Sequence, residues 1–416
     1  MNVLVVGGGV IGLASAHFLR AGGAEVTLVE RDRFGAATSS GNGGWISPVL
    51  SAPLPGPHAL GEALRSMANP NGAVGVAGRP SAQLARWLVR FARACGHARA
   101  HEGLLAMLGL SAVTPEALAR LRAAGADYEE HHCGMTFAFR SRPLLEAYAG
   151  MLCPLPSLGY RGEVHVLSAE DALAREPLLC NSIVGAIHTT AERHVRPESL
   201  CGALVHLLTQ GGVKLHEHDA VERFGRSSAG RWWAAMSSGE RHEADAIVIA
   251  AGAASVAMLA TLGVRLLVQN ARGHSLTTPC EAAPTSAVYL ADRRVGVSPF
   301  RGHLRLAGLF EVGARETRVR PRRIETLRRA AAEFLPAWRA SGQEVAWAGL
   351  RTVAPDGLPV IGRLPAHAGA YVVTAHGMMG VTLAAATGSL LASLVLEETE
   401  PPEFVPFRPD RAAVVA

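Results

Sequence analysis

Three glycines near the start of the chain have the spacing that binds a phosphate through the backbone. Gly7, Gly9 and Gly12 form a Gly-x-Gly-x-x-Gly sequence between an apolar segment at residues 3–6 and an amphipathic segment at residues 13–20. This order predicts a strand, a tight turn and a helix. Gly7 allows the turn, Gly9 lets a pyrophosphate approach the backbone, and Gly12 lets the helix pack close to the strand. The helix N-terminus would offer free N–H groups and a positive dipole end to the phosphates.

An acidic residue follows at the position where a ribose would lie. Glu30 ends a second apolar segment, residues 26–29, and follows Gly12 by 18 positions. Its carboxylate can accept hydrogen bonds from a ribose 2′-OH, and its charge disfavours a 2′-phosphate. A glycine triplet alone would also suit an ordinary Gly-rich turn. Because strand, helix, second strand and acid occur in this order, the sequence predicts a dinucleotide site.

The composition indicates a folded protein of two or three domains. The chain has 416 residues, of which 49% are hydrophobic and 18% charged, with a net charge of +5. Lys214 is the one lysine, so the other 39 basic residues are arginines, spread along the chain. The densest arginine run, residues 315–329, is interrupted by Glu316 and Glu325 and is typical of a solvated helical face. We therefore expect no nucleic-acid partner.

The cysteines and the N-terminus predict a reduced protein without a targeting segment. None of the six cysteines forms a Cys-x-x-Cys pair, and no His/Cys cluster has zinc spacing, so we expect buried thiols and no metal site. The apolar N-terminus lacks a basic region and is part of the glycine motif, so no signal peptide is expected. No segment reaches 18 uninterrupted apolar residues, so no membrane span is expected. The expected location is the cytoplasm, or the inner face of a membrane through a partner.

The rest of the chain alternates between two kinds of pattern. Residues 35–57 predict a long loop, residues 134–167 short strands and turns, and residues 266–311 antiparallel strands. A hairpin is predicted at residues 232–243 around a Ser-Ser-Gly turn. The predicted helices share a 3.6-residue periodicity or a proline or glycine start, and they cover residues 81–124, 199–209, 322–340 and 380–397. Buried or partly buried strands are predicted at residues 213–217, 245–252 and 371–374.

These elements predict a mixed α/β fold with a discontinuous dinucleotide-binding domain. The Rossmann-like elements are distributed over the N-terminus, the middle and the C-terminus, and the antiparallel segments lie between them. We assign residues 1–57, 190–265 and 345–416 to the cofactor domain. Residues 58–189 and 266–344 are assigned to an inserted antiparallel-sheet substrate domain.

Four segments together resemble the family of FAD-dependent D-amino-acid dehydrogenases and glycine oxidases. They are the N-terminal fingerprint with Glu30-Arg31, the Ser-Gly-Asn-Gly-Gly loop at residues 40–44, the Ala-Gly strand end at residues 251–252, and a C-terminal pair of motifs. The first motif of that pair is Trp-Ala-Gly-Leu-Arg at residues 347–351, with Pro-Asp-Gly-Leu-Pro-Val-Ile-Gly at residues 355–362. The second is His-Gly-Met-Met-Gly at residues 376–380. The resemblance implies FAD as the cofactor.

The resemblance and the motifs together give a set of expected FAD-binding residues. They are Gly7, Gly9, Val10, Ile11, Gly12, Glu30, Arg31, Ser39, Ser40, Asn42, Gly43, Gly44, Ala251, Gly252, Gly349, Gly377, Met378, Met379, Gly380, Val381 and Thr382. A helix starting near residue 380 could stabilise negative charge on a reduced flavin, although a structural Gly-rich cap would have the same sequence. In related sarcosine oxidases a cysteine near the Gly-Leu-Arg segment can hold the flavin covalently. Since no cysteine follows Cys280, FAD is expected to bind non-covalently.

Two residues are candidates for contact with substrate. The resemblance places Arg351 above the flavin, where a planar guanidinium could pair with a substrate carboxylate and orient its Cα–H bond. A structural ion pair is the alternative for Arg351. His274 stands in a Gly-His-Ser sequence where family members often have Gly-Tyr-Ser. It could contact substrate or be a polar sheet residue, and the sequence leaves both open.

The resulting hypothesis is oxidation of the Cα–N bond of a D-amino acid or a cyclic D-imino acid of the proline or hydroxyproline type, by hydride transfer from Cα to flavin N5. Lys214 falls on a predicted strand of the cofactor domain, away from the position where related oxidases place an oxygen-activating lysine. This favours a dehydrogenase that uses a quinone, an electron-transfer protein or a partner subunit over one that uses oxygen. A glycine/sarcosine-type oxidase, a flavoprotein acting on modified nucleic acid and a non-catalytic subunit are the alternatives. Homo- and hetero-oligomers both stay open.

Overall fold

The computed structural model describes residues 1–57, 59–67, 72–77 and 81–415. Its strands in chain order are β1 (Asn2–Val6), β2 (Glu25–Val29), β3 (Trp45–Ile46), β4 (Val74–Val76), β5 (Glu130–His131), β6 (Met135–Phe139), β7 (Val164–Leu167), β8 (Gly185–Thr189), β9 (Arg193–Val195), β10 (Lys214–His216), β11 (Val221–Arg226), β12 (Trp232–Met236), β13 (Arg241–Ala244), β14 (Ala246–Ile249), β15 (Gln269–Pro279), β16 (Ala287–Leu290), β17 (Val295–Phe300), β18 (His303–Val312), β19 (Val345–Val353), β20 (Val360–Arg363) and β21 (Ala370–Thr374). Its α-helices are α1 (Val10–Ala21), α2 (Ala59–Met67), α3 (Ala82–Ala94), α4 (His97–Ala112), α5 (Thr114–Ala123), α6 (Arg142–Leu152), α7 (Ala169–Arg175), α8 (Pro197–Gln210), α9 (Ser255–Thr261), α10 (Pro321–Phe334) and α11 (Gly380–Leu396).

A six-stranded sheet in the order β10-β2-β1-β14-β21-β20 forms the base of the cofactor side. All pairs are parallel except β20 with β21. Its central strands are rich in Val, Leu and Ile and buried on both faces, as parallel sheets require. Helices α1, α8 and α11 pack on one face of this sheet, and α1 contacts both α8 and α11. The antiparallel sheet β11-β12-β13 covers the other face. The carboxyl ends of β1, β2, β14 and β21 therefore meet at one edge.

A nine-stranded sheet forms the second half of the molecule. Its order is β19-β15-β18-β17-β16-β6-β8-β7, and β4 pairs with β18. Helix α10 packs on this sheet through an apolar face that includes Ile324, Leu327 and Phe334. A second three-stranded sheet, β3-β9-β5, joins the long loop after β2 to the segment before α8. The mixed α/β class predicted from the sequence is confirmed.

The strand pairing differs from the proposed domain division at one boundary. Residues 345–353 were assigned to the cofactor domain, but β19 pairs along most of its length with β15 of the nine-stranded sheet. By its hydrogen bonds β19 belongs to the large sheet, and the chain returns to the six-stranded sheet only at β20. The other boundaries of the two-domain division stay a prediction.

Several elements follow the sequence pattern, and three differ from it. The hairpin β12–β13, the antiparallel strands β15–β18 and helix α11 lie where they were predicted. Residues 134–167 contain helix α6, whose Pro143 in the first turn was a signal that the prediction did not use. Helix α10 ends at Phe334 and not near residue 340, because Leu335 precedes a proline and is therefore driven out of the α region. The predicted helix 81–124 is three helices, α3, α4 and α5, with Pro115 in the first turn of the last.

One stretch of the described residues, His97–Ala123, is long and apolar enough by length and composition to cross a membrane. Its most apolar window has a mean hydropathy of 1.4 and is 44% buried inside the protein. It consists of α4 and α5, both of which pack against α11. A core helix of a folded domain has the same properties, so the expectation of no membrane span stays a prediction.

Candidate active site

A cavity of 1510 Å³ opens at the edge where the two large sheets meet. Its lining includes the turn after β1, the end of β2, the segments that follow β14 and β21, the start of α11, and parts of β16 to β19. Ligands of open α/β sheets bind outside the carboxyl ends of the strands, and four such ends line this cavity. The volume exceeds that of a usual small-molecule pocket, so it suits a dinucleotide together with a small substrate.

At Gly7 and Gly12 of the glycine turn, a side chain would collide with neighbouring backbone atoms. Gly7 has φ +111°, and a Cβ there would lie 2.5 Å from the carbonyl oxygen of Ala250. A Cβ on Gly12 would lie 1.8 Å from the carbonyl oxygen of Gly7. Gly12 does not line the cavity, so its role is the close packing of α1 on β1 that the sequence predicted. Gly9 does line the cavity, and a Cβ on it would meet only the Ser39 hydroxyl, at 3.3 Å.

Glu30 is held at the end of β2 by backbone N–H groups. Gly8 donates to Oε2 of Glu30 at 2.7 Å, and Asp32 donates to Oε1 at 3.0 Å. The carboxylate is therefore fixed to the glycine turn and oriented beside the cavity, where its free lone pairs can accept from a ribose. Arg31 also lines the cavity and forms an exposed ion pair with Asp32 at 3.3 Å.

Hydrogen bonds to α1 and within the loop itself hold residues 39–44 in place. Ser39 Oγ accepts from the Val10 N–H at 2.8 Å, which connects the loop to the first turn of α1. Asn42 Nδ2 donates to the Ser39 carbonyl at 2.7 Å, and Asn42 Oδ1 accepts from Gly44 at 2.7 Å. Asn42 thus stabilises the loop from within. Ser39, Asn42 and Gly43 line the cavity, whereas Ser40 caps the preceding turn and Gly44 packs against β9.

The large sheet also holds this loop, through an ion pair between a buried arginine and a glutamate that is partly exposed. Arg305 on β18 is 3% exposed and donates to the Asn42 carbonyl at 2.9 Å and to Glu198 at 2.7 Å. Glu198, in the first turn of α8, also accepts from the Gly41 N–H at 3.2 Å. Burial would raise the pKa of Glu198, but the charge and hydrogen bonds of Arg305 hold it below its usual value. Ser298 Oγ adds a bond to the Gly43 carbonyl at 2.6 Å.

Helix α11 points its N-terminus into the cavity. Met379, Gly380, Val381 and Thr382 line the cavity, and no acidic residue lies in the first turn of the helix. Its free N–H groups and positive dipole end are therefore available to negative charge on a ligand. Just before it, Gly377 has φ +57° and donates to the Thr352 carbonyl at 3.0 Å, which fixes the turn to the end of β19.

Arg351 is a cation of the cavity wall that is available to an anionic ligand. It lies on β19, lines the cavity and donates through Nη1 to the Leu309 carbonyl at 2.9 Å. Within the described chain, no carboxylate lies within 4.0 Å of its guanidinium, so the structural ion pair considered above is not formed there. Burial lowers the pKa of Arg351 to about 10, which still leaves the group charged at pH 7.

A glycine makes space for this arginine. Gly273 on β15 lies opposite Gly349, two residues before Arg351 on β19. A Cβ on Gly273 would lie 2.1 Å from Nη1 and 2.4 Å from Cζ of Arg351. The guanidinium therefore lies directly over the Gly273 backbone. Leu309, which accepts its hydrogen bond, has φ +67°, a left-handed conformation that is uncommon for leucine. Neither contact could be predicted from the sequence, since both come from the pairing of distant strands.

His274 is a correction to the sequence-based set. Its side chain is 0% exposed and does not line the cavity, because successive residues of a strand point to opposite faces and Gly273 faces Arg351. Its Nε2 accepts from the Arg320 N–H at 3.4 Å, at the start of α10, and its Nδ1 lies 4.0 Å from Glu311. Burial lowers the pKa of His274 to about 4, so it is neutral at pH 7. It is a buried sheet residue with no access to a cavity ligand.

Most of the other expected residues line the cavity together. Those brought to the lining are Gly7, Gly9, Val10, Ile11, Glu30, Arg31, Ser39, Asn42, Gly43, Ala251, Gly252, Gly349, Arg351, Gly377, Met378, Met379, Gly380, Val381 and Thr382. The sequence also leaves open which of His58, His274, His303 or Tyr289 faces the flavin. Tyr289 lines the cavity and His303 does not, while His58 lies outside the described residues. The aromatic side chains Trp45, Tyr148 and Trp347 also line the cavity and were not selected from the sequence, although Trp347 begins the motif at residues 347–351 and Trp45 directly follows the loop at residues 40–44.

The residues present fit an FAD. A Cβ on Gly252 would meet no heavy atom within 4 Å, so this strand end has open space for a cofactor, and both α1 and α11 begin without an acidic residue in the first turn. Glu30 would hold the ribose, α1 the pyrophosphate, and the 39–44 loop with α11 the flavin. The described lining contains no cysteine, in keeping with the non-covalent binding expected above.

Comparison with known proteins gives matches along nearly the whole chain. The family model described as FAD dependent oxidoreductase matches residues 2–394. D-amino acid dehydrogenase of Cereibacter sphaeroides is 32% identical over 403 residues, covering 95% of this chain and 92% of that protein. D-amino acid dehydrogenase 2 of Ralstonia nicotianae is 33% identical over 421 residues, covering 95% of this chain and 96% of that protein.

Solved structures share the fold at lower identity. Glycine oxidase from Geobacillus kaustophilus has a TM-score of 0.77 and 23% identity, over 98% of both chains. L-proline dehydrogenase from P. horikoshii has a TM-score of 0.72 and 17% identity, over 98% of this chain and 96% of the other. The geometry of the cavity and these matches agree on the cofactor and on the class of enzyme. The chain belongs to the family of FAD-dependent oxidoreductases.

Proposed function

We propose that this chain oxidises the Cα–N bond of a D-amino acid, including cyclic D-imino acids of the proline type. The observation that carries the proposal is Arg351, a charged guanidinium that lines the FAD cavity and has no carboxylate partner among the described residues. Relatives that are 32% and 33% identical to this chain are named D-amino acid dehydrogenases, which supports both the substrate class and the D configuration.

Arg351 would bind the substrate carboxylate through two parallel N–H···O bonds, since its Nη2 has no hydrogen-bond partner among the described residues and its Nη1 is oriented by the Leu309 carbonyl. This contact fixes the direction of the Cα–H bond. The α-amine binds as the neutral form, and its lone pair becomes part of a C=N bond as hydride leaves Cα. FAD, when bound, supplies the two-electron acceptor, at flavin N5. No side chain need remove the Cα proton, so we assign no general base.

We further propose that the electrons pass to an acceptor other than oxygen, such as a quinone, an electron-transfer protein or a partner subunit. Lys214, the one lysine of the chain, is exposed on the edge strand β10 and does not line the cavity. It cannot activate oxygen above the flavin. A glycine or sarcosine-type oxidase is the second candidate, because the fold also matches glycine oxidase with a TM-score of 0.77.

An anaerobic flavin-bleaching screen tests both proposals. The purified yellow holoenzyme is mixed with D/L pairs of the same amino acid, including proline and hydroxyproline, and with glycine and sarcosine, and the loss of flavin absorbance is followed. Faster bleaching by the D member of each pair supports the proposal, whereas bleaching by L-forms alone contradicts the stereochemistry. Air is then admitted. Slow recovery of the absorbance supports a dehydrogenase, and rapid recovery with peroxide supports an oxidase. No bleaching with any compound would remove the amino-acid proposal.

A further inference from the structure

Two histidines and a glutamate converge outside the cavity, where the hairpin β12–β13 meets the edge strand β10. His216 ends β10, Glu240 precedes β13, and His242 lies on β13. One nitrogen or carboxylate oxygen from each residue lies within 4.8 Å of the other two. The two imidazole rings have centroids 4.6 Å apart. None of the three lines the cavity, so the cluster is separate from the site described above.

The residues that carry these groups are tied together by a hydrogen-bonded turn. Asp219, three positions after His216, accepts from the Ser238 N–H at 2.9 Å and from the Ser238 hydroxyl at 2.8 Å. It also accepts from the Ser237 hydroxyl at 3.0 Å. Ser237 and Ser238 form the turn that leads into Glu240, and Ser238 Oγ accepts from the Glu240 N–H at 3.3 Å. The backbone positions of all three groups are therefore fixed before any ligand binds.

The cluster contains an unsatisfied polar atom. His242 Nε2 is buried and has no hydrogen-bond partner in the described structure, and it lies 3.7 Å from a Glu240 carboxylate oxygen. A buried ring nitrogen without a partner carries a desolvation cost. A histidine ring nitrogen that has no hydrogen-bond partner in the protein can instead act as a metal ligand.

We propose that His216, Glu240 and His242 bind one divalent transition-metal ion of the zinc type, with water as a fourth ligand. Two imidazoles and one carboxylate form a ligand set that Zn²⁺ accepts in tetrahedral geometry. Ligand atoms around such an ion are separated by about 3.3 Å, a distance that follows from metal–ligand bonds of about 2.0–2.1 Å. Side-chain rotation closes the difference from 4.8 Å, since Glu240 is exposed and both histidines are half-buried.

The ion would stabilise the adenosine end of the cavity. The His216 carbonyl accepts from the Glu30 N–H at 2.8 Å, and the Asp219 N–H donates to the Glu30 carbonyl at 3.0 Å. A metal on His216 would thus link the hairpin to the strand that flanks Glu30. No zinc pattern was recognisable in the sequence, because the ligands come from two separate segments. Only the Glu-x-His pair, Glu240 and His242, lies within one short segment, where a spacing of two residues directs both side chains to one face.

Calorimetric titration of Zn²⁺ into the metal-free holoenzyme tests the proposal. We expect one site per chain, with affinity at least about tenfold weaker in His242→Ala and in Glu240→Gln. Glu240 is exposed, so its variant should fold normally and keeps the test valid if His242→Ala does not. His165→Ala is the matched control, because Glu163, just before β7, and His165 on β7 form the same Glu-x-His pair at 2.9 Å, and no third such residue completes a metal-binding group with them in the described part of the chain.

A second readout separates a built site from surface binding. Co²⁺ bound to two imidazoles and a carboxylate in a tetrahedron gives visible bands at wavelengths longer than flavin absorption, and these should disappear in His216→Ala but persist in His165→Ala. The unfolding temperature should rise with Zn²⁺ in the wild type and not in Glu240→Gln. The proposal is overturned if the wild type binds no stoichiometric metal, or if His242→Ala and His165→Ala bind it equally.

Discussion

The two walls of the cavity are built in different ways. On the cofactor wall, the groups that face the ligand are mainly backbone N–H groups and glycines of a few short segments, such as the turn at residues 7–12 and the start of α11. On the substrate wall, the key group is one side chain, Arg351, whose position depends on Gly273 and Leu309 from two other strands. A backbone wall depends on the absence of Cβ atoms, whereas the substrate wall depends on one charge and the space around it.

This difference predicts where single substitutions act. Changes on the substrate wall should alter the use of amino acids while FAD stays bound. Changes in the contacts that hold the cofactor loop should alter FAD binding for every substrate alike. Each variant below is therefore assessed both by its FAD content and by its kinetics.

Replacing Arg351 should have the largest effect. Arg351→Ala removes the charge that would bind the substrate carboxylate, and loss of one partner of a desolvated ion pair costs about 2–5 kcal/mol. Stopped-flow reduction of the flavin should show kcat/KM lowered by about 30- to 5,000-fold. Arg351→Lys should recover only part of this, because a lysine cannot form the two parallel bonds.

The control for Arg351 is Arg301→Ala, since Arg301 is exposed after β17 on the same sheet and does not line the cavity. It should keep the wild-type rate. Unchanged kinetics in Arg351→Ala with full FAD content would show that the carboxylate is bound elsewhere, and the substrate assignment would be wrong.

Replacing Gly273 should have the next largest effect. In Gly273→Ala the new Cβ would lie 2.1 Å from Nη1 of Arg351. The clash is with the mobile end of a side chain, so the protein should fold while the guanidinium moves. Overpacking typically costs about 1–3 kcal/mol. We expect the KM for amino acids to rise by about 5- to 150-fold, measured by flavin reduction at varied substrate concentrations.

A double-mutant cycle isolates this mechanism. If Gly273 acts only by making space for Arg351, Gly273→Ala should have little further effect in the Arg351→Ala background. Gly109→Ala is the matched control, because Gly109 is exposed on α4 and a Cβ there meets nothing within 4 Å. An equal, additive loss in both backgrounds would mean that Gly273 supports the sheet and not the arginine.

The same contrast explains what the sequence could predict. The glycine turn, Glu30 and the start of α11 were predicted because each function depends on residues close together in the chain. Arg351 was identified only through a resemblance to known proteins, and its contacts with Gly273 and Leu309 arise from strand pairing that no local pattern encodes. The sequence left the role of His274 open because the face of β15 that a residue presents is set by the register with its neighbours. Helix α6 was missed because its periodicity is short and only Pro143 indicates its start.

The ion pair that holds the cofactor loop should give a smaller effect, on FAD binding. Glu198→Ala removes the carboxylate partner of the buried Arg305 guanidinium. It also removes the acceptor of the Gly41 N–H. Because Glu198 is itself 39% exposed, water compensates in part, and we expect FAD to bind about 3- to 10-fold more weakly. The amino-acid KM of the fully loaded enzyme should stay close to the wild-type value. Flavin fluorescence during titration of the apoprotein measures this.

The pKa of Glu198 adds a pH dependence to that prediction. Its folded-state pKa lies below the usual value, so its contribution to stability is present above the unfolded pKa and is lost as the pH falls through the folded one. The wild type should therefore lose FAD more steeply than Glu198→Ala below about pH 4.5. Glu222→Gln, an exposed control on β11, should follow the wild type. If FAD affinity is unchanged in Glu198→Ala, the loop does not depend on this ion pair.

His274 should give the smallest effect on activity, although it adjoins Gly273. His274→Gln should keep kcat/KM within about threefold, because the side chain lies on the opposite face of β15 from the cavity. Its effect should appear in stability instead. Burial lowers the folded pKa to about 4, so between pH 6.5 and 4 the unfolded chain binds a proton that the folded chain does not. Wild-type stability should fall as the pH is lowered through this window.

Urea unfolding at several pH values measures this loss, which should be smaller in His274→Gln by about 1–3 kcal/mol at pH 4. It should not vanish, because burial also lowers the pKa of His188, His194 and His376 to about 4. The exposed His206 provides the control, since His206→Gln should have the wild-type pH dependence. A large loss of kcat/KM in His274→Gln with stability and FAD content intact would restore His274 to the active site. It would also mean that the face of β15 opposite the cavity takes part in the reaction, and not only in packing.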